Sequence, residues 1–513
     1  MCGVAEESKR RIMKKIFSIS RVGLRHLAAL AAFCALALGM IAYTDRVLWD
    51  KNGTIMGFYE EPKNSVDVIY VGGSHTNAAV SPTQIYEEYG TTGYVLYSWS
   101  QPIWTAYHYT LEALKTQKPK VVVVDVFGMV YGNTYMTDVD MNSVSDDYSL
   151  LIPPSLNRIQ LAMAMSRCQT EHKPFYRYAS LLRYHNRWKA LTKQDLLWPL
   201  QSYRTTGKGF GPLYTTESYQ LHQPADITPN GEAAYAWSKV YLQKLVELSK
   251  QQGFQLVAVN FPYIAEDIEY DIFAWTRQYC EENGVPFLDY LLEDTAAQAG
   301  FDYETDMAEH AHVNYKGAAK LTAHLGKFLH DNYALPDHRG EAAYAQWESD
   351  AAFERRNLQD MDLCMTSDLN ELLTKAMTPD YVVLLATCGD LTAADSTAVA
   401  AALENHGISA QCFAQPGWQM VASYSADKGV MQTTFGPGQT GTLQALLEDG
   451  SGLTVSSDGN AAVQRAGDAK TGEPADQSRN RPGLNIVVAD AATGKLVYSV
   501  SYSTLHDYTA YTA

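Results

Sequence analysis

Two short stretches of this chain carry residue types that can make and break an acyl bond. The first is Val66-Asp67-Val68-Ile69-Tyr70-Val71-Gly72-Gly73-Ser74-His75, an apolar strand that runs into two glycines and then a serine. The second, some 240 residues downstream, is Glu309-His310-Ala311-His312-Val313-Asn314. A serine hydroxyl attacks an acyl carbon when a positioned base removes its proton and amide donors receive the oxyanion. Ser74 offers the hydroxyl, and the turn that holds it offers its own amide as one donor. His312 lies just before a helical pattern and Glu309 stands three residues upstream, so a short loop can aim the imidazole while the carboxylate holds its other nitrogen. On residue type alone, His310 competes for the base and Asp306 for the acid. His75 is either a hydrogen-bond partner for substrate or a cap for the turn, and Asp125, at the end of a buried strand, has no role readable from sequence.

These residues need a sheet edge to hold them. Strand-like runs at Val66–Val71, Tyr94–Tyr97, Lys120–Phe127, Gln255–Asn260 and Pro286–Tyr290 alternate with amphipathic stretches at Trp104–Lys115, Glu232–Gln251, Asp267–Asn283 and Lys316–Asp331. Continuous Val/Ile runs separated by helices predict an α/β fold, a three-layer α/β/α sandwich around a parallel sheet. Ligands in such folds sit at the carboxyl ends of the strands, where Ser74 falls. About 132–229 breaks the alternation and is rich in Tyr, Trp and Arg, as in Tyr176-Arg177-Tyr178 and Tyr184-His185-Asn186-Arg187-Trp188; it reads as a mostly helical insertion that forms a lid, an acceptor-binding wall or a structural excursion. Residues 334–362 read as a linker or bridging helix. A smaller α+β domain follows over 363–513, with helices at Asp368–Met377 and Ala393–Asn405, strands at Tyr381–Ala386, Trp418–Tyr424, Thr442–Leu447, Leu484–Ala489 and Leu496–Tyr502, and a polar Gly-rich loop or irregular hairpin from Ser456 to Arg481.

Between Arg25 and Asp45 lie 19 uncharged residues, mostly Ala and Leu, about the length a helix needs to cross a bilayer. Seven Lys and Arg residues precede this stretch and only Arg46 follows closely, so the positive-inside rule gives a cytoplasmic basic tail over 1–25, a single-pass anchor over 26–44 and an extracellular remainder. A cleaved signal peptide is the competing reading, but Met40-Ile41-Ala42-Tyr43-Thr44 offers no convincing cleavage site. Of 513 residues, 46% are hydrophobic and 19% charged, a globular composition, and the length suits two domains. Beyond residue 50 the chain holds 32 basic and 53 acidic residues, a net of −21, which argues against nucleic acid as a partner. Five widely spaced cysteines beyond the anchor form no disulfide framework and no CxxC metal site, leaving room for one Cys388–Cys412 bridge. No metal or nucleotide cofactor motif is present, so none is expected.

With these residues in view, the segment 60–333 resembles the SGNH/GDSL hydrolase superfamily. Its first block is Gly-Asp-Ser or, in many membrane-anchored members, Gly-Ser-Ser-His, matched by Gly72-Gly73-Ser74-His75 with Gly73 in place of the first serine. Its last block, Asp-x-x-His-Leu-Asn and then Gly-Ala, is matched by Glu309 to Asn314 and Gly317-Ala318. The resemblance selects His312 as base and Glu309 as its orienting acid. Ser98-Trp99-Ser100-Gln101-Pro102 and Gln117-Lys118-Pro119-Lys120-Val121 also look like exported members from Gram-positive bacteria. The usual second-block glycine and third-block asparagine have no clear equivalents. Ser100 or Gln101 stands in for the first and Asn260 is the candidate for the second, so Gly73, Ser100, Gln101, Asn260 and His75 are the oxyanion or substrate candidates.

The C-terminal segment resembles an interleukin-like epithelial–mesenchymal transition inducer (ILEI) domain in circularly permuted order, through Gly483-Leu484-Asn485-Ile486-Val487-Val488, Tyr381–Ala386 and Gly417-Trp418. Together the resemblances imply a membrane-anchored serine esterase or O-acyltransferase, similar to alginate O-acetyltransferase-like proteins. Its implied partners are a cell-envelope glycan, to or from which it moves an acyl group such as acetyl, and a multi-spanning membrane acyltransferase. The alternative from a different class is a non-catalytic SGNH-like scaffold or carbohydrate-binding protein. An esterase carrying a lectin module is a third.

Overall fold

The structure, a computed structural model, describes residues 21–48, 55–132, 152–153, 155–167, 181, 184–221, 223–224, 226–229, 235–391, 396–468, 470–502 and 510–511. The expected basic tail, the Tyr176-Arg177-Tyr178 cluster and the expected beginnings of the helices at Glu232 and Ala393 lie wholly or mostly outside these residues. Two compact units divide the chain, Met1–Ala351 and Ala352–Ala513.

In the first unit the Val/Ile runs pair as a five-stranded parallel sheet. Its strands are β1 (Val68–Gly72), β2 (Gly93–Tyr97), β3 (Val121–Asp125), β4 (Gln255–Asn260) and β5 (Phe287–Asp289), in the order β2-β1-β3-β4-β5. Successive side chains leave a strand on opposite faces, and here each face finds its own core. Ile69, Val71, Leu96, Val122 and Val124 pack with Trp104, Leu242 and Leu245 on one side. Val68, Tyr70, Val95, Val121 and Val123 pack with Ile85, Leu321 and Leu325 on the other. The helices Ile103–Ala113 and Ala236–Gln252 thus cover one face, and Pro82–Tyr89 and Tyr315–Asn332 the second. This is the three-layer α/β arrangement that unbroken β-branched strands demand.

The strand order reverses between β1 and β3, because the chain steps from β1 outward to β2 and returns to the other side of β1. A crevice opens at the carboxyl ends of strands flanking such a reversal. Ser74 follows β1 there and Asp125 ends β3. The last pieces of the unit are β6 (Met307–Glu309) and β7 (His312–Val313), a two-stranded antiparallel pair that leads into the helix Tyr315–Asn332. At the N-terminus the apolar helix Arg21–Leu48 is long and apolar enough over Leu24–Leu48 to cross a membrane. Within the insertion, the described residues form the helices Leu156–Arg167 and Lys193–Leu197 and short 3-10 turns, whereas 201–221 is irregular chain.

The second unit is built on an antiparallel sheet in the order β10-β9-β8-β15-β16-β17. Its strands are β8 (Tyr381–Cys388), β9 (Gln419–Ser425), β10 (Gly429–Phe435), β15 (Gly483–Asp490), β16 (Leu496–Tyr502) and β17 (Ala510–Tyr511). The helices Leu369–Ala376 and Ser396–Asn405 cover one face. A four-stranded sheet of β11 (Gly441–Leu446), β12 (Gly452–Ser457), β13 (Ala462–Gly467) and β14 (Pro474–Asp476) contributes to the core on the other. The stretch from Ser456 to Arg481, expected as an exposed loop or irregular hairpin, is partly sheet, with β13 and β14 paired antiparallel. Ala462, Gln464 and Ala466 alternate inward and are buried, and Gln464 Nε2 donates to the carbonyls of Leu384 and Asn485 at 2.7 and 2.9 Å. The Cys388–Cys412 bridge does not form: both are free thiols, and Cys388 donates to the Arg481 carbonyl.

Candidate active site

β1 delivers Ser74 to the first position of the short helix Ser74–Ala79. The bend depends on Gly72, where a Cβ would stand 1.9 Å from Thr76 Oγ1 and 2.5 Å from Asp125 Cβ. No other residue allows the helix turn and β3 to close on the strand end so tightly. Gly73 differs: its backbone is extended, and a Cβ there would meet only Gln101 N at 3.6 Å and Ser98 O at 3.9 Å, ordinary contacts.

Asp125 ties this corner together. Its carboxylate accepts from Thr76 Oγ1 and from the Phe127 amide, each at 2.9 Å, and from the Gly73 amide. Burial pushes its pKa up to about 6, against the pull of those three donors. The sequence left Asp125 without a role, although an acidic residue closing a Val run was a visible signal.

From the other side of the crevice His312 places Nε2 2.7 Å from Ser74 Oγ, and its Nδ1 meets Glu309 Oε1. Glu309 Oε2 accepts from the Ala311 amide at 2.9 Å. Partial burial works to raise the Glu309 carboxyl, but the Ala311 amide and His312 outweigh it and hold it below its ordinary range. The competitors separate cleanly. His310 lies against Glu309 Oε2 at 3.0 Å with its ring mostly in solvent, and Asp306 is buried on Lys320 at 2.6 Å. Ser74, His312 and Glu309 therefore form a connected hydroxyl, imidazole and carboxylate, the geometry of a base-activated serine.

Asn314 fixes the loop that carries His312. Its Oδ1 caps the helix Tyr315–Asn332 through the amides of Lys316 and Gly317, and its Nδ2 donates to Thr216 Oγ1 and to the Thr305 and Met307 carbonyls. The irregular chain of the insertion braces the same loop. Gly211 N and Gly209 O bond to Asn77, three residues beyond Ser74. Farther along, Tyr315 N donates to Leu213 O, Glu217 N to Met307 O and Tyr219 N to Tyr303 O. Residues 209–219 thus bridge the helix that begins at Ser74 and the loop that carries His312.

The remaining candidates differ in what they offer. His75 is buried, its Nδ1 has no hydrogen-bond partner among the described residues, and its ring packs against Phe127, Tyr263 and His312 at centroid distances of 4.2, 5.0 and 5.3 Å. Burial and the neighbouring His312 lower its pKa to about 3. Ser100 holds φ near 49°, a left-handed turn, and its side chain hydrogen-bonds Tyr131. Gln101 is buried with Nε2 on Ser98 Oγ at 3.2 Å, and its backbone amide faces Gly73. Asn260 is committed elsewhere, donating through Nδ2 to Asp289 Oδ1 at 3.2 Å, and no hydrogen bond joins it to Ser74 among the described residues.

No family model and no curated protein matches the chain. Among solved structures it is similar to a Bacteroides fragilis protein described as a "putative acylhydrolase", with 11% identity and a TM-score of 0.28, over 55% of this chain and 99% of that one.

Proposed function

We propose that the first unit is a serine acyl enzyme in which Ser74 is the nucleophile, His312 the general base and Glu309 the group that orients and electrostatically supports the imidazole. The observation that carries this reading is the 2.7 Å approach of His312 Nε2 to Ser74 Oγ, with Nδ1 of the same ring held by Glu309. As Ser74 Oγ bonds to the acyl carbon, its proton passes to His312 Nε2 and the carbonyl electrons move onto oxygen. The backbone amides of Ser74 and Gln101 are the donors proposed for that oxyanion. Collapse expels the leaving alcohol, which takes the proton from His312, and an acyl-serine remains. Water or a sugar hydroxyl, deprotonated by the same imidazole, then releases Ser74.

In this reading the acyl group is acetyl, the acceptor or donor is a cell-envelope glycan, residues 26–44 anchor the chain with its N-terminus in the cytoplasm, and a multi-spanning membrane acyltransferase supplies the acyl group. The second unit would hold glycan in a cleft of about 440 Å³ lined by Gly389, Asp390, Gln419 and Gly436, beside the half-exposed Trp418. The competing reading, a scaffold that keeps the fold without catalysis, draws on Asn260, whose amide serves Asp289 instead of an oxyanion.

A fluorophosphonate probe decides between them. Labelling of the wild-type chain at Ser74, abolished in Ser74→Ala, is the expected result; a folded wild-type chain that takes no label supports the scaffold. Hydrolysis of a neutral acetyl ester at a rate unchanged by added acceptor sugar would favour an esterase over a transferase.

A further inference from the structure

The apolar helix does not leave the first unit as a bare tether. Tyr43 Oη, near the end of the uncharged stretch, donates to the Leu196 carbonyl at 2.7 Å, and Arg187 Nη1 donates to the Leu48 carbonyl at 2.9 Å. The 3-10 turns His185–Ala190 and Trp198–Leu200 and the helix Lys193–Leu197 all pack against the foot of the long helix. Arg158, on the helix Leu156–Arg167, lies within electrostatic reach of Asp45 and Arg46.

Around these contacts large apolar side chains stay in the open. Trp188 is 64% exposed, Leu196 48%, Leu197 43% and Leu200 75%. Leu156, Ile159 and Met163, spaced to fall on one helix face, are exposed as well. Their charged neighbours are cations, Lys189 and Lys193, within a chain whose extracytoplasmic part carries −21. The one carboxylate within 185–200, Asp195, is buried, capping its own helix through Thr192 and pairing with Arg187 at 3.2 Å. Trp, Leu and Lys on one exposed surface, with the acid turned inward, is the composition of a segment that lies in a membrane interface.

Depth settles the occupant. At about 1.5 Å per residue the uncharged stretch before Asp45 spans the hydrocarbon core, so Tyr43 to Leu48 occupy the outer interfacial zone. Side chains held against that part of the helix lie level with the outer-leaflet headgroups. We infer that residues 185–200, together with the exposed face of Leu156–Arg167, form a second membrane contact that seats the first unit on the outer leaflet around its own anchor. The inference rests on reading 26–44 as a membrane anchor.

The test uses the full chain reconstituted in phosphatidylglycerol–phosphatidylcholine vesicles that include a phosphatidylcholine with a photoreactive diazirine near the top of its acyl chain, with crosslinked residues mapped by mass spectrometry. Crosslinks on 24–48 and also on 156–163 and 185–200 are expected. Crosslinks confined to 24–48 would overturn the seating surface and leave the anchor standing; none on 24–48 would overturn the anchor reading and the surface with it. In the double variant Leu197→Asp and Leu200→Asp, both at exposed positions, crosslinks on 185–200 should be lost while those on 24–48 and the thermal unfolding midpoint are kept. Their persistence in that variant would also overturn the proposal.

Discussion

The two adjacent glycines before Ser74 have opposite tolerances. A Cβ at Gly72 collides with Thr76 and Asp125, whereas one at Gly73 finds ordinary contact distances. Gly72→Ser should therefore destabilise the chain by about 1–3 kcal/mol through overpacking. Gly73→Ser should leave the urea midpoint close to wild type. The same scale governs the chemistry. His312→Ala should slow acylation of Ser74 by about 10²–10⁴-fold, the span usual for a general base. Glu309→Gln should cost less, because the imidazole keeps its place on Ser74 and loses only its ionic partner; stopped labelling time courses with the fluorophosphonate measure both. Because the Glu309 carboxyl sits below its ordinary value of 4.5, it stays ionised above that pH, and any fall in rate at higher pH belongs to another group.

Among the elements, the junction of β1, β3 and the helix Ser74–Ala79 has its own pH signature through Asp125. Its carboxyl rises from 3.8 to about 6 in the folded chain. The folded state therefore binds the proton more tightly than the unfolded one. Stability from this group is fully present below about pH 4 and is lost as pH rises towards 6. His75 acts in the opposite sense: its pKa falls from 6.5 to about 3, so its contribution is present above 6.5 and is lost as pH falls below that value. Urea titrations at a series of pH values should show Asp125→Asn removing the first component, and a pH profile identical to wild type between 4 and 6 would contradict the assignment. The sequence signalled the two strands but neither the helix Ser74–Ala79 nor this junction: the acidic end of the Val run was visible, whereas the three donors that meet it come from pairings the local pattern does not encode.

At the scale of the whole molecule, Lys208 ties together distant segments of the first unit. The ammonium is buried 2.6 Å from Glu61 Oε1 and 3.1 Å from Asp350 Oδ2, and it lies over the Trp347 ring at 4.5 Å. Three segments remote in sequence meet there, and Arg204 adds a second cation to Asp350. Lys208→Met leaves one buried carboxylate, Glu61, without its cation, and should cost about 3–5 kcal/mol, read as a lowered denaturant midpoint. Since Lys208 adjoins the chain 209–219 that braces the loop carrying His312, the variant should also loosen the Ser74–His312 geometry and slow probe labelling.

The sequence by itself determined the layers, since unbroken Val/Ile strands must be covered on both faces, and it determined the chemical types at the site, since a serine after a Gly-terminated strand and a histidine before a helix are local patterns. Gln255–Asn260 was legible to the residue. Tertiary structure alone decided which partners meet. Residue type left His310 beside His312 and only the block resemblance favoured the latter; the antiparallel pairing of β6 with β7 is what turns one ring to Ser74 and leaves the other in water. Asp306, the competing acid by residue type, is instead paired with Lys320. Likewise the burial of 462–467 and the bracing by 209–219 depend on pairings between segments distant in the chain. Local propensity sets what a segment can be, whereas such pairings are fixed only when the whole chain collapses on one arrangement.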